Sequence, residues 1–221
     1  IIEAGKKFDI HIVEIGGTVG DYEAMAFIEA IRQMKRLVGE ENVLYAHLVF
    51  LPFLQASKEI KTKPAQNSVR DLREAGISPN VLFVRSDHPM TAESLDKMSL
   101  YCDVSKDAIV GLQTAETVYE VPLRMEETGI ANYICAQLKL PRRKAKLADW
   151  SHLVDKIKSV EKTVNIGVIA KYMNHEDTYM SIFEALRAAG WHHNINVMIS
   201  WINADNVEYI EKDLAEVQGI L

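Results

Sequence analysis

The chain has 221 residues, 48% hydrophobic and 25% charged, with a formal net charge of −6 and a pI near 5.7. That length allows one or two domains with a real core, and the acidic balance argues against bulk nucleic-acid binding and against a polybasic membrane surface. No apolar run reaches the roughly 18 residues of a spanning helix, and the first ten residues lack the basic-then-apolar order of a signal peptide.

In chain order, "FDIHIVEI" (8–15) reads as a buried strand ending on Glu14, followed by glycines at 16, 17 and 20. A helix is predicted from Tyr22 to Val38, with Asp21 as its N-cap and Phe27, Ile28, Ile31, Met34 and Val38 as its apolar stripe. "VLYAHLVFLPF" (43–53) reads as a second strand. A short helix over 67–77 stops at Gly76, and a third strand covers 80–86. A helix over 91–102, a strand over 108–112 and a helix over 126–138 complete the first series. Apolar strands alternating with helices predict an α/β protein with a parallel sheet covered on both faces, its working site beyond the strands' carboxyl ends.

The pattern breaks at "KLPRRKAKLADW" (139–150), read as the start of a linker that runs to about Thr163, with Arg142, Arg143, Lys144 and Lys146 as a solvated face. A fresh β-α-β series follows: strand 164–172, helix 176–190, strand 195–203 and a last helix near 205–216. The domain expectation is therefore 1–140, a linker over 141–163, and 164–221. Cys102 and Cys135 sit in apolar helical contexts without metal spacing, which predicts buried thiols of a cytoplasmic protein. His175, His192 and His193 lack ligand spacing and read as loop residues. The chain starts on Ile and ends just as an apolar segment starts, and both ends read as cuts in something larger.

Two stretches carry candidate chemistry. A carboxylate such as Glu14 at a strand's carboxyl end, beside glycines that let the backbone approach a ligand, suits Mg2+ and phosphate; the same residues also fit a solvated acid and a plain turn. In "KEIKTKPAQ", an extended backbone would point Lys61 and Lys63 the same way, giving two ammonium groups with hydroxyl and amide donors for a triphosphate. A solvated basic loop is the alternative. Lys97, on the helix after the next strand, reads as a further cation for the same crevice, or by itself as an ordinary surface lysine.

Together "VEIGGTVGDYEAMAFIEAIRQ", "LPFLQASKEIKTKPAQNSVRDLREAGISPN", "VRSDH", "LYCDVSKDAIVGLQTAETVYEVPL", "ANYICAQLKL" and "VNIGVIAKY" resemble the CTP synthase family over nearly the whole chain. The resemblance implies part of a P-loop-like (deethiobiotin-synthetase-like) amidoligase domain, then the start of a class I glutamine amidotransferase domain. It implies ATP-dependent amination of UTP to CTP, with ammonia from glutamine, by a cytoplasmic homotetramer that needs Mg2+ and engages neither nucleic acid nor membrane. It assigns Glu14 to Mg2+. It assigns Asp21, Tyr22, Glu23, Lys61, Thr62, Lys63, Pro64, Ala65, Gln66 and Lys97 to UTP or CTP, and Gln113, Thr114 and Ala115 to ATP.

The departures are Ala65 for the usual threonine, Asn67 for a common histidine, Tyr22 for a common isoleucine, and Gln113 to Ala115 in place of a Lys-Asp pattern. The family's P-loop and its glutaminase cysteine elbow are not in these 221 residues, so the chain alone is expected to be inactive. A non-catalytic pyrimidine-nucleotide-binding or assembly module is the alternative, and another ATP-dependent amidoligase a weaker one.

Overall fold

A computed structural model describes residues 1–173, 176–205 and 210–221, and divides the chain into two compact units, Ile1–Ala145 and Lys146–Leu221. The first unit opens with a one-turn helix α1 (Ile2–Gly5) and a coil over 6–20. A 3-10 turn (Tyr22–Ala24) leads into α2 (Met25–Val38). Strand β1 (Ala46–Phe50) follows, then a hairpin of β2 (Phe53–Leu54) and β3 (Glu59–Ile60). Next come α3 (Lys63–Glu74), β4 (Val81–Ser86), α4 (Ala92–Cys102) and β5 (Ile109–Gln113). Helices α5 (Val121–Glu127) and α6 (Ile130–Gln137) close the unit.

The sheet is parallel in the order β1-β4-β5, with Val49 opposite Val84 and Val84 opposite Gly111. Strand β4 is central, and Val81, Leu82, Val84 and Ser86 are all buried there. Helix α3 adds Val69, α4 adds Met98 and Cys102, and α6 adds Ile130 to this core. Thr91 caps α4, its hydroxyl accepting the Ser94 N–H at 3.1 Å. A second, smaller cluster joins Ala24 and Ile28 to Leu72 and Ile77, with Val19 and Tyr45 against it. Tyr45 precedes β1 and its carbonyl accepts from the Asn80 and Val81 N–H groups, so this cluster sits at the amino ends of the strands.

The second unit contains α7 (Ala148–Ser159), β6 (Lys162–Ala170), a 3-10 turn (Glu176–Tyr179), α8 (Met180–His192), β7 (Ile195–Asn203), α9 (Ile210–Ala215) and β8 (Gly219–Ile220). Its sheet is parallel in the order β7-β6-β8. Gly190 lets α8 close on β7: a Cβ there would meet the Ile195 carbonyl oxygen at 2.6 Å.

The structure corrects several expectations. Residues 8–15 form no strand: Phe8, Ile10 and Ile12 are exposed, the last at 85%, because among the described residues no strand pairs with them. Helix α3 begins at Lys63 rather than near residue 67, because Pro64 suits a first helical turn and Ala65 turns into the core. The long strand expected over 43–53 divides into β1 and β2. The helix expected over 126–138 breaks at Gly129, which has φ +74°. Coverage of both sheet faces is incomplete, since Leu48 and Phe50 on edge strand β1 are exposed. Phe27 is 61% exposed, outside the stripe in which Ile28 is buried. The stretch read as linker carries α7, whose Val154 is buried. Cys102 is buried but Cys135 is only half-buried.

Candidate functional site

The chain leaves the carboxyl end of β1 through Leu51, whose N–H donates to the Arg85 carbonyl at 2.8 Å, and enters the β2–β3 hairpin. The hairpin register sets Phe53 opposite Ile60 and Leu54 opposite Glu59. The Lys61 N–H donates to the Pro52 carbonyl at 2.9 Å, which continues the ladder one residue further. In extended backbone, side chains alternate between faces. Ile60 therefore turns to the core, where it packs, and Glu59 and Lys61 share the other face. They form an ion pair there. The hydrogen bond from Lys61, and a lesser one from Ser57, holds the Glu59 carboxyl below the usual carboxylate range.

Lys97 stands on α4, paired with Glu93 at 2.6 Å, and that contact pushes its ammonium pKa up. Glu59 adds a lesser effect to this, and Lys97 in turn slightly lowers Glu59, while the contacts themselves form two ion pairs, Glu93 with Lys97 on α4 and Glu59 with Lys61 on the hairpin. The alternation expected to align Lys61 with Lys63 instead aligns Lys61 with Glu59. Lys63 is exposed at the first helical position of α3, where the helix dipole favours a negative ligand. Thr62 is buried, and its hydroxyl accepts the Gln66 amide at 3.0 Å. Pro64 is exposed, while Ala65 is 1% exposed and part of the core.

At the carboxyl ends of β4 and β5, the Thr114 hydroxyl donates to Asp87 at 2.7 Å and the Gln113 amide to the Asp87 carbonyl at 3.2 Å. Ala115 is half-buried beside them. Sequence reasoning passed over Asp87 and His88 in "VRSDH" and Glu59 in "KEIKTKP". His88 lies against Phe53 of the hairpin, with ring centroids 3.8 Å apart. The signal available for Glu59 was its two-residue spacing from Lys61.

Glu14 lies in the exposed coil. Gly17 and Gly20 beyond it adopt φ +85° and +100°, values that L side chains rarely take, so the turn does require glycine. Asp21 precedes the 3-10 turn, but its carboxylate accepts the Thr18 N–H at 3.1 Å instead of capping. Tyr22 is 90% exposed and Glu23 is exposed too. The structure thus joins Lys61 to Glu59, Lys97 to Glu93, Thr62 to Gln66, and Gln113 and Thr114 to Asp87. Among the described residues it records no hydrogen bond or ion pair between Glu14 and any of these, and no group of three or more His, Cys, Asp or Glu fit to hold a metal. His192 and His193 meet edge to face at 4.9 Å, and His175 lies outside the described residues. A cleft of about 400 Å³ lined by Lys35, Glu40, Glu41 and Asn80 opens near the amino ends of β1 and β4, the wrong end of a parallel sheet for its ligand.

Parallel β-α-β units with paired charges gathered past the strands' carboxyl ends define an α/β protein whose candidate site lies where such sheets hold ligands. A family profile described as CTP synthase N-terminus matches residues 1–140. The chain is 43% identical over 225 residues to CTP synthase of Bacillus pumilus, covering 100% of this chain and 42% of the relative. It is 40% identical to that of Bacillus subtilis, covering 98% and 41%, and 46% identical to that of Thermomicrobium roseum, covering 96% and 39%. It belongs to the CTP synthase family, and it spans about two fifths of the length of these relatives. Among the described residues no helix is long and apolar enough to cross a membrane.

Proposed function

We propose that this chain supplies the pyrimidine-nucleotide site of a CTP synthase, a ligase that aminates UTP to CTP at the expense of ATP with ammonia from glutamine. In this reading residues 1–140 are part of the P-loop-like amidoligase domain, 141–163 a connection, and 164–221 the start of the glutamine amidotransferase domain. The complete enzyme works as a tetramer in the cytoplasm. The observation that carries the reading is Lys61, held in an ion pair with Glu59 past the end of β1 and directly before the first turn of α3. Ammonium groups and a helix N-terminus are complementary to phosphates.

Lys61, Lys63 and Lys97 hold the phosphates of UTP or CTP. Thr62, Pro64, Ala65 and Gln66 set the shape of the loop: the Thr62–Gln66 bond keeps its first turn closed, and buried Ala65 anchors it without reaching the ligand. Asp21, Tyr22 and Glu23 meet the cytosine nucleotide, which suits an exposed tyrosine flanked by acids. Gln113, Thr114 and Ala115, braced by Asp87, lie toward ATP.

Glu14 fits Mg2+ as an exposed hard-oxygen donor, and the ion commonly takes one or two carboxylates with water and phosphate oxygens completing its shell. When bound, it offsets charge on the phosphates during phosphoryl transfer.

Calorimetry of UTP and CTP with the full chain tests this. Lys63→Ala should weaken both nucleotides by about tenfold, the scale of one charge-assisted contact. Glu14→Ala should weaken binding with Mg2+ and leave it unchanged in EDTA. Equal affinities for the unaltered chain and Lys63→Ala would refute the site.

A further inference from the structure

Glu59, the carboxylate paired with Lys61, has no part in holding a phosphate: it carries the ligand's own sign. Its position is imposed twice. The antiparallel pairing with Leu54 holds its backbone, and Lys58, which turns the hairpin with φ +53°, donates to Gln55 at 3.0 Å and locks the turn before it. The two-residue period then leaves Glu59 facing Lys61. Its carboxylate occupies the Lys61 ammonium directly and acts on Lys97 through space.

We propose that Glu59 is a built-in competitor for the nucleotide's phosphates, a resident anion that a triphosphate must displace from Lys61. This rests on the lysine site argued above. The pair is half open to water, with side chains 42% and 49% exposed, so it holds weakly and exchanges readily. Displacement asks the ligand to bring more negative charge than one carboxylate. A triphosphate does so, and a ligand without phosphate has no need to displace Glu59 at all. The carboxylate contacts Lys61 at the surface, so its effect is on affinity through Lys61 and not on the fold.

The test uses calorimetry of UTP and of inorganic tripolyphosphate on the full chain and on Glu59→Gln, Lys61→Ala and the double variant. Glu59→Gln should bind both ligands about threefold to fivefold more tightly, the upper range for removing one surface ion pair. In the Lys61→Ala background the same change should give no further gain, because the competitor then has nothing to occupy. An equal gain in both backgrounds would mean that Glu59 acts only through the general field, and that overturns the proposal. So does unchanged or weaker binding by Glu59→Gln when Lys61→Ala still loses affinity, and in that case the lysine site itself stands. No binding by any of the four proteins overturns both.

Discussion

Residues 8–15 and strand β4 carry the same kind of sequence, a short apolar run with two or three polar residues, and they end in opposite states. In β4, Val81 and Leu82 are fully buried, with β1 on one side and β5 on the other. In 8–15, Ile12 is 85% exposed and, among the described residues, no strand pairs with the segment. Composition does not separate them; neighbours do. A strand exists by hydrogen bonds to another strand, so an apolar run with no partner in reach stays coil. The same contrast runs through the candidate site. Its lysine half stands on elements tied to the core by Ile60 and Ala65, and its acid half, Glu14, hangs on the unpaired segment.

The largest test compares truncations in the two regions. Leu82→Ala should cost about 2–5 kcal/mol of stability in the first unit, as cavity formation in a core does. Ile12→Ala should stay within about 0.5 kcal/mol, as surface changes do. Urea denaturation followed by far-UV circular dichroism reads both, because all three tryptophans, Trp150, Trp191 and Trp201, lie in the second unit. A comparable loss at Ile12 would break the contrast and show 8–15 to be paired in solution.

A second test sharpens it at the helix starts. Thr91→Ala removes a formed cap on α4 and should cost about 1 kcal/mol. Asp21→Ala removes only a turn contact to Thr18, and should cost clearly less in the same denaturation.

The smallest effect is a pH dependence confined to the paired region. His47 on β1 shares a 2.9 Å hydrogen bond with Ser68 of α3, and burial pushes its imidazole pKa down. The unfolded chain therefore takes up this proton first. Its contribution to stability is complete above an unfolded value of about 6.5 and is lost as pH falls through that value toward the folded one. His47→Gln should flatten the change in urea midpoint between pH 8 and 5.5. An unchanged slope would show that the imidazole does not set it.

Much of the fold was legible. The boundaries of β4, α4, β5 and β7 follow their apolar periodicity closely, because each is a regular element packed within its own unit. Helix α7 was missed because Pro141 and the basic cluster before it mask the start of its pattern. In the candidate site, the lysines were visible as residue types, but their geometry was misjudged. The extended reading of "KTKP" overlooked that proline is welcome in a helix's first turn, so the helix starts at Lys63 and the alternation partner of Lys61 is Glu59.

By itself the sequence determined the α/β class, the order of most elements and the CTP synthase family, since periodicity and motif are properties of neighbours along the chain. Only the tertiary structure decided which apolar run became a strand, which helix began four residues early and which carboxylate met which lysine. Those outcomes depend on contacts between residues far apart in the chain, and a strand's partner or a lysine's counter-ion is chosen by the three-dimensional packing that brings it within reach.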